Sequence, residues 1–373
     1  MTNYLHKVLP PQYSHVNKVY CLLAATVFCA LPLCSTEAAA ENILKYDGTT
    51  NIHGNAKTWA AKNEYDGIDI RVTGVDGGYY TDTTEALVLN NQTLNVKGKG
   101  KFVSIINTAQ NKQIDNNGGI YAKGGSTVNF TDVDSIYIAA IAGKEGGNDS
   151  TVISAKDPGR DFKGYTNIVN ISGNTVQLIG SIDVMHSLGS VFFNRNARHT
   201  VNAALSGSDS FWYGSAIGET DERTTVNLSL ADGATWIFNA GKSTLNAGGI
   251  IRNLKLDKGV VLFADAEVWE TYRKTVIKGT DYVLANYRDH NERYSQVEIR
   301  SLTGPGGIFK MDLDWQSNNG ERQYTEKSDF ITIGTAEDGS HQIVEFDMGK
   351  AHLDEMKNGD KLYFASVESG NTT

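Results

Sequence analysis

Long apolar runs are almost absent from this sequence, and the longest, Tyr20–Leu33, is too short to cross a bilayer. It is preceded by Lys7 and Lys18 and followed by small residues that include Ala38 and Ala40. A positive segment, a short apolar segment and an Ala-x-Ala site are the parts of a secretory signal peptide. The sequence therefore predicts a signal peptide over residues 1–40, cleaved after Ala40, and no membrane helix after it.

Cysteine is scarce, and Cys21, Cys29 and Cys34 all lie inside the predicted signal peptide. The exported chain would then contain neither a disulfide nor a cysteine-ligated metal, so that burial of apolar side chains must stabilise it. A lipid anchor on Cys34 is disfavoured, because the preceding Leu33 is bulky where lipid-anchoring signals usually have a small residue.

Basic residues are outnumbered by acidic ones, and the formal net charge of the whole chain is −9. Removal of Lys7, Lys18 and Glu37 with the signal peptide makes it about −10. This balance argues against nucleic-acid binding and favours solubility. The roughly 330 residues that remain exceed the usual size of one compact domain but suit a repeat array.

Helical periodicity and proline are both rare, whereas glycine occurs 38 times against 5 prolines. Short runs rich in Thr, Val and Ile alternate with turn dipeptides such as Asn117-Gly118 and Asp232-Gly233. Such a pattern predicts many short strands joined by tight turns.

A repeat becomes visible when the short runs are laid over one another. Five of them have an apolar-Asn-apolar pattern, and the successive asparagines are 34, 41, 32 and 25 residues apart. The five runs are Leu94-Asn95-Val96, Val128-Asn129-Phe130, Val169-Asn170-Ile171, Val201-Asn202-Ala203 and Val226-Asn227-Leu228.

Each of these runs is followed, after a few small or polar residues, by a second and more apolar run. A unit of two short strands cannot bury its own apolar face and must stack on its neighbours. Because the spacing varies, the sequence predicts an all-β, right-handed parallel β-helix, ahead of an antiparallel sandwich or a propeller. The second runs are Lys101–Ile105, Ser135–Ile138, Thr175–Ile179, Phe211–Tyr213 and Thr235–Phe238.

The recurring asparagine allows two interpretations. The carboxamides could stack as an internal ladder, each hydrogen-bonded to the coils above and below. Alternatively, asparagine simply tolerates the turn that leads into each strand. Residue patterns alone leave both open.

The chain resembles the passenger region of pertactin-like or AIDA-like autotransporters, which are type V secretion proteins. The resemblance implies β-helical repeats over 41–300 and C-terminal coils over 301–373, similar to a region thought to nucleate folding in that family. It also implies attachment to the outer membrane through a barrel that is not present in this chain. The segments that carry it are Gly118–Ser126, Gly233–Trp236, Ser243–Leu245, Leu302–Asp314, Ser328–Ile333 and Asp360–Ala365.

Two acidic pairs are the candidate metal or catalytic residues. Asp132 with Asp134, and Asp312 with Asp314, stand at alternate positions, which on a strand would place both carboxylates on one face. Such pairs can bind calcium or assist acid-base chemistry on polysaccharides. On an acidic solenoid they are more simply part of a solvated face.

Other candidate groups give no catalytic pattern. Gly207–Ser210 is similar to a serine-nucleophile loop but lacks the glycine after the serine, so a turn is expected. Tyr79, Tyr80, Tyr137, Trp212 and Tyr213 could line a carbohydrate groove or pack in the core or loops. The histidines show no zinc-binding spacing and are expected at the surface; they are His53, His186, His199, His290, His341 and His352.

These observations predict a non-enzymatic adhesin or interaction scaffold that binds through loops on a rigid coil. The expected partner is a host-cell or glycan ligand, with no nucleic acid, no cofactor, no metal and no catalytic residue, and the chain is expected to be a monomer. The expected location is the cell surface or the medium, reached through the periplasm. A secreted β-helical polysaccharide lyase or hydrolase is the alternative, and a structural surface-layer component is a third.

Overall fold

The computed structural model describes part of the chain, and the described part is built of strands and turns without an α-helix. Within it no helix has the length and apolarity that a membrane crossing requires. The described residues are 42–51, 62–75, 84–109, 117–141, 151–156, 164–184, 196–218, 222–238, 248–263, 295–313, 328–347, 353, 356–359 and 362–369.

Twenty strands are numbered here in chain order. They are β1 (Ile43–Asn51), β2 (Gly67–Val75), β3 (Thr84–Asn90), β4 (Thr93–Lys97), β5 (Phe102–Ala109), β6 (Asn117–Lys123), β7 (Thr127–Ile141), β8 (Thr151–Ala155), β9 (Thr166–Ile179), β10 (Ser181–Asp183), β11 (Arg198–Ser206), β12 (Phe211–Gly214), β13 (Ala216–Ile217), β14 (Thr224–Ala231), β15 (Thr235–Phe238), β16 (Gly248–Phe263), β17 (Gln296–Lys310), β18 (Phe330–Ala336), β19 (Ile343–Glu345) and β20 (Ala365–Ser369).

The pairings between these strands are parallel, and they arrange the strands in three stacks. The chain passes from the first stack to the second and then to the third before it returns one level higher. The first stack contains β4, 127–131 of β7, 166–172 of β9, β11, β14, 253–257 of β16 and 301–303 of β17.

The second stack contains β1, β2, β5, 135–141 of β7, 175–179 of β9, β12, β15, 260–263 of β16, 308–310 of β17 and β19. At about 4.8 Å between neighbouring strands, these levels span about 43 Å. The third stack contains β3, β6, β8, β10 and β13, with 248–251 of β16 against β13 and continuing through β17, β18 and β20.

The chain is therefore all-β, with parallel strands stacked coil on coil. The predicted register is confirmed: Asn95 pairs with Asn129, Asn129 with Asn170, and Asn202 with both Asn170 and Asn227. The second runs also stack in the predicted order. Each complete coil of the described residues contains three strands rather than the predicted two, because a third stack follows the second.

Alternation of side chains explains which residues form the core. In β14 every second residue is buried, and the apolar Val226, Leu228 and Leu230 point inward. The same period of two holds in β4 and β11, as expected for strands with one face on the core. The interior is thus filled by stacked Val, Ile, Leu and Phe side chains, as the sequence predicted.

The asparagines form a continuous ladder of hydrogen bonds along the first stack. In each step Nδ2 donates to Oδ1 of the asparagine one coil below, and Asn95 Nδ2 donates to the Asn63 carbonyl at 3.1 Å. The ladder runs 2.9 Å from Asn129 to Asn95, 2.8 Å from Asn170 to Asn129, 2.7 Å from Asn202 to Asn170, 2.7 Å from Asn227 to Asn202 and 2.6 Å from Asn253 to Asn227.

Of the two interpretations left open, the ladder is present, but it lies on the outer surface rather than inside. Asn129 lies between the buried Val128 and Phe130, so its carboxamide points away from the core and is half-buried. The same alternation places the other ladder residues on the outer surface. Asn253 belongs to the ladder although its run, Arg252-Asn253-Leu254, lacks the Val-Asn pattern.

Aromatic stacking replaces aliphatic packing in part of the second stack. The rings of Trp212 and Trp236 lie 5.1 Å apart and 6° from parallel. Their Nε1 atoms donate to the carbonyls of Gly180 and Gly214 at 2.9 and 3.0 Å. Each buried indole thus has its one polar atom satisfied by the coil below.

We expect the Asn202→Ala substitution to lower the free energy of unfolding by about 1–2 kcal/mol, because it removes two ladder bonds at once. The urea midpoint, followed by tryptophan fluorescence, measures the loss. Asn358→Ala, at an exposed turn outside the ladder, is the matched control and should change stability by less than about 0.5 kcal/mol. Equal effects of the two substitutions would contradict a stabilising ladder.

Candidate binding surfaces

The outer side of the first stack is flat and nearly uncharged. Two rows of side chains flank the ladder. From the coil that contains β7 to the coil that contains β14, neither row has an ionisable group. This surface offers hydrogen bonds and shape but no acid, base or nucleophile. The rows are Thr93, Thr127, Ile168, Thr200 and Thr225 on one side, and Lys97, Thr131, Ser172, Ala204 and Ser229 on the other.

Both members of the first acidic pair are exposed, on either side of the buried Val133, but they stand at a corner rather than on a regular stretch of strand. Asp132 has a φ of 59° and occupies the corner between two stacks, where the register shifts between Phe130 and Val133. Asp134 accepts hydrogen bonds from the Gly100 backbone at 3.1 Å and from the Asn174 carboxamide at 3.4 Å. Its carboxylate thus ties together corners of three successive coils.

The second pair is described only in part, since Asp314 lies outside the described residues. The Asp312 backbone donates to Asp329 Oδ2 at 2.7 Å, and the Ser295 backbone donates to Asp329 Oδ1 at 2.8 Å. Asp329 is buried and links Ser295, which precedes β17, to Asp312, which follows it. Across the described part of the chain, no three His, Cys, Asp or Glu side chains come together as a metal site.

The Gly207–Ser210 segment is a turn, as expected. Gly207 has a φ of 82°, and the Ser210 backbone donates to its carbonyl at 3.0 Å. Ser210 Oγ is buried, donates to the Ser206 carbonyl at 2.7 Å and accepts from the Val176 backbone at 3.0 Å. The hydroxyl has a structural partner on each side and links two coils.

His199 contradicts the expectation of surface histidines. It is fully buried, and its Nδ1 lies 3.1 Å from Asn167 Nδ2. Because Asn167 Oδ1 accepts from the backbones of Gly125 and Ser126, its amide must donate, and His199 Nδ1 is the acceptor. His341 is exposed, as predicted; His53, His186, His290 and His352 lie outside the described residues.

The aromatic candidates do not form a groove. Trp212 is in the core, Tyr213 is 2% exposed, and Tyr79 and Tyr80 lie outside the described residues. Tyr137 stands on the outer side of the second stack between Ser104 and Gln177, partly buried. Burial raises the pKa of Tyr137 to about 12, and the positive charge of Arg71 opposes this only weakly.

Since the Tyr137 pKa is raised on folding, the neutral phenol favours the folded state below about pH 10. We expect that stabilisation, up to about 2 kcal/mol, to be lost as the pH rises from about 10 to 12. Denaturant midpoints of the wild type and of Tyr137→Phe over this range measure it, with Tyr363→Phe at an exposed site as control. Parallel curves for the wild type and Tyr137→Phe would sink the prediction.

A compact polar set occupies the outer side of the third stack. Tyr121, Ser154 and Asp183 stand in one row on three successive coils. Lys123 Nζ lies 4.9 Å from the centre of the Tyr121 ring, and Lys156 Nζ lies 2.7 Å from Asp183 Oδ2. This set combines a ring, a hydroxyl, a carboxylate and two ammonium groups.

The sequence analysis missed this set, although a signal was present. Ile120-Tyr121-Ala122-Lys123 and Ile153-Ser154-Ala155-Lys156 share the pattern Ile-x-Ala-Lys, and Ile120 pairs with Ile153 in the structure. Laying these runs over one another would have predicted the third stack and its two lysines.

Elsewhere among the described residues, charged groups form isolated surface pairs. Examples are Lys101 with Asp66 at 3.2 Å and Arg252 with Glu222 at 3.0 Å. The pKa of Asp66 is lowered, first by the hydrogen bond from the Asn42 backbone and then by that from Lys101. Such exposed pairs contribute little to stability and do not converge on a groove.

Comparison with known proteins gives no relative: no family model matches this chain, and neither a curated protein nor a solved structure is significantly similar to it.

Proposed function

We propose that this chain is an exported autotransporter passenger, a right-handed parallel β-helix that acts as a non-enzymatic adhesin or interaction scaffold. The parallel stacking of coils from β1 to β20 is the observation that supports it best. A stack of this kind gives a long rigid support on which surface groups keep fixed positions. The signal-like residues 1–40 and the absence of cysteine after Cys34 support export.

The hydrogen bonds of the described acidic and nucleophilic groups favour adhesion over catalysis. Asp134, Asp329 and Ser210 bond to backbone or amide groups of neighbouring coils. A lyase or hydrolase of acidic polysaccharides would instead need carboxylates and a base directed at one groove. That alternative stays distinguishable by experiment, as does a purely structural surface-layer role.

One experiment separates these functions. Purified chain beginning at Glu41 is applied to host-type cells and to a glycan array, and the same sample is incubated with acidic polysaccharides. We expect saturable binding without the release of reducing or unsaturated ends. Degradation without saturable binding would favour the enzyme, and inactivity in both assays would favour the structural role.

Export makes its own prediction. When the full chain is expressed in a diderm bacterium, N-terminal sequencing of the exported product should begin at Glu41. Ala40→Leu should block this cleavage, because the peptidase site needs a small residue, while Ala39→Leu between the two small positions should be processed. Retention of residues 1–40 on the exported wild-type protein would contradict the signal peptide.

A further inference from the structure

Two lysines on the third stack place positive charges one coil apart. Ala122 pairs with Ala155, and the Lys156 backbone donates to the Ala122 carbonyl at 3.2 Å, so Lys123 and Lys156 are adjacent along the stack. Lys156 is paired with Asp183, whereas Lys123 makes no ion pair with another described residue. With one carboxylate and two ammonium groups, the set carries a net charge of +1 on a chain whose net charge is −9.

A buried hydroxyl without a hydrogen-bond partner lies in the row beside the two lysines, between Tyr121 and Asp183. Ser154 is 6% exposed, and its Oγ has no hydrogen-bond partner. A buried hydroxyl left without a hydrogen bond destabilises the fold. A ligand oxygen or a water that hydrogen-bonds to Ser154 Oγ removes this cost.

The ring of Tyr121 completes the set. It stands in the same row as Ser154, one coil below it, and Lys123 rests over its face. Binding sites for small polar molecules combine an aromatic wall with a few convergent polar groups.

We infer that Tyr121, Lys123, Ser154 and Lys156 form a subsite for one anionic group of an acidic polysaccharide, a carboxylate or a sulfate ester. The inference rests on the proposed function, since it names the ligand class of a binding scaffold. In this contact Lys123 leaves the Tyr121 ring and binds the anion together with Lys156. The movement opens the ring to the sugar and the buried Ser154 Oγ to the anion. Asp183 positions Lys156 and takes no part in the contact.

The test uses isothermal titration of the purified chain with three hexasaccharides. One is sulfated and derived from heparin, one is oligogalacturonate with carboxylates only, and one is neutral maltohexaose. We expect at least one anionic sugar to bind, weakened by raising the salt from 50 to 500 mM, and maltohexaose not to bind. The stronger of the two anionic ligands identifies sulfate or carboxylate as the group.

Lys123→Gln is the decisive variant, because it removes a cation without leaving a buried carboxylate unpaired. It should weaken anionic binding about tenfold, whereas Lys97→Gln, at an exposed lysine beside the asparagine ladder, should change it less than twofold. Ser154→Ala should weaken binding about threefold yet leave the melting temperature unchanged or higher, since it removes an unbonded hydroxyl.

Equal effects of Lys123→Gln and Lys97→Gln, or equal binding of neutral and anionic sugars, would overturn the subsite. If the wild type binds cells but neither anionic sugar, the subsite is wrong and the scaffold proposal stands. If it binds an anionic sugar through Lys123 but binds no cell or glycan surface, the subsite stands and the adhesin proposal fails.

Discussion

In-register parallel pairing is the constraint on which the rest of this structure depends. Each strand lies about 4.8 Å from its neighbour with the same direction, so equivalent side chains of successive coils are brought into contact. A residue type that repeats from coil to coil therefore interacts with itself: asparagine with asparagine along the first stack, and Trp212 with Trp236 in the second. Because no cysteine follows Cys34, no disulfide can link the coils, and these rows and the buried apolar side chains hold them together.

The first and second stacks could be predicted because their strands have one face on the core and one face outside. Val226, Leu228 and Leu230 alternate with polar residues, and this alternation is visible in the sequence. The outward position of the ladder could have been inferred from the same alternation, because Asn129 stands between two apolar residues. A ladder of hydrogen-bonded amides does not require burial, because half-exposed amides can also stack.

The third stack could not be found by alternation. In β8 the four residues Val152–Ala155 are all buried, and in β10 all three residues are buried, so the period of two disappears. A strand covered on both sides has a continuous rather than alternating pattern. Its outward residues are then detected only by comparing coils, as with the two Ile-x-Ala-Lys runs.

This difference bears on where chemistry can be found on such a protein. On the first stack, polar side chains are numerous but mostly uncharged. The asparagines hydrogen-bond to one another from coil to coil. On the third stack, Ser154 and Asp183 are buried, so the charge of Asp183 is less screened by water, whereas the Lys156 side chain is 34% exposed. The set proposed as a subsite, Lys123, Ser154 and Lys156, lies on this stack rather than on the larger polar face. In a stacked fold, the rows that break the simple repeat are better candidates for recognition than the rows that display it.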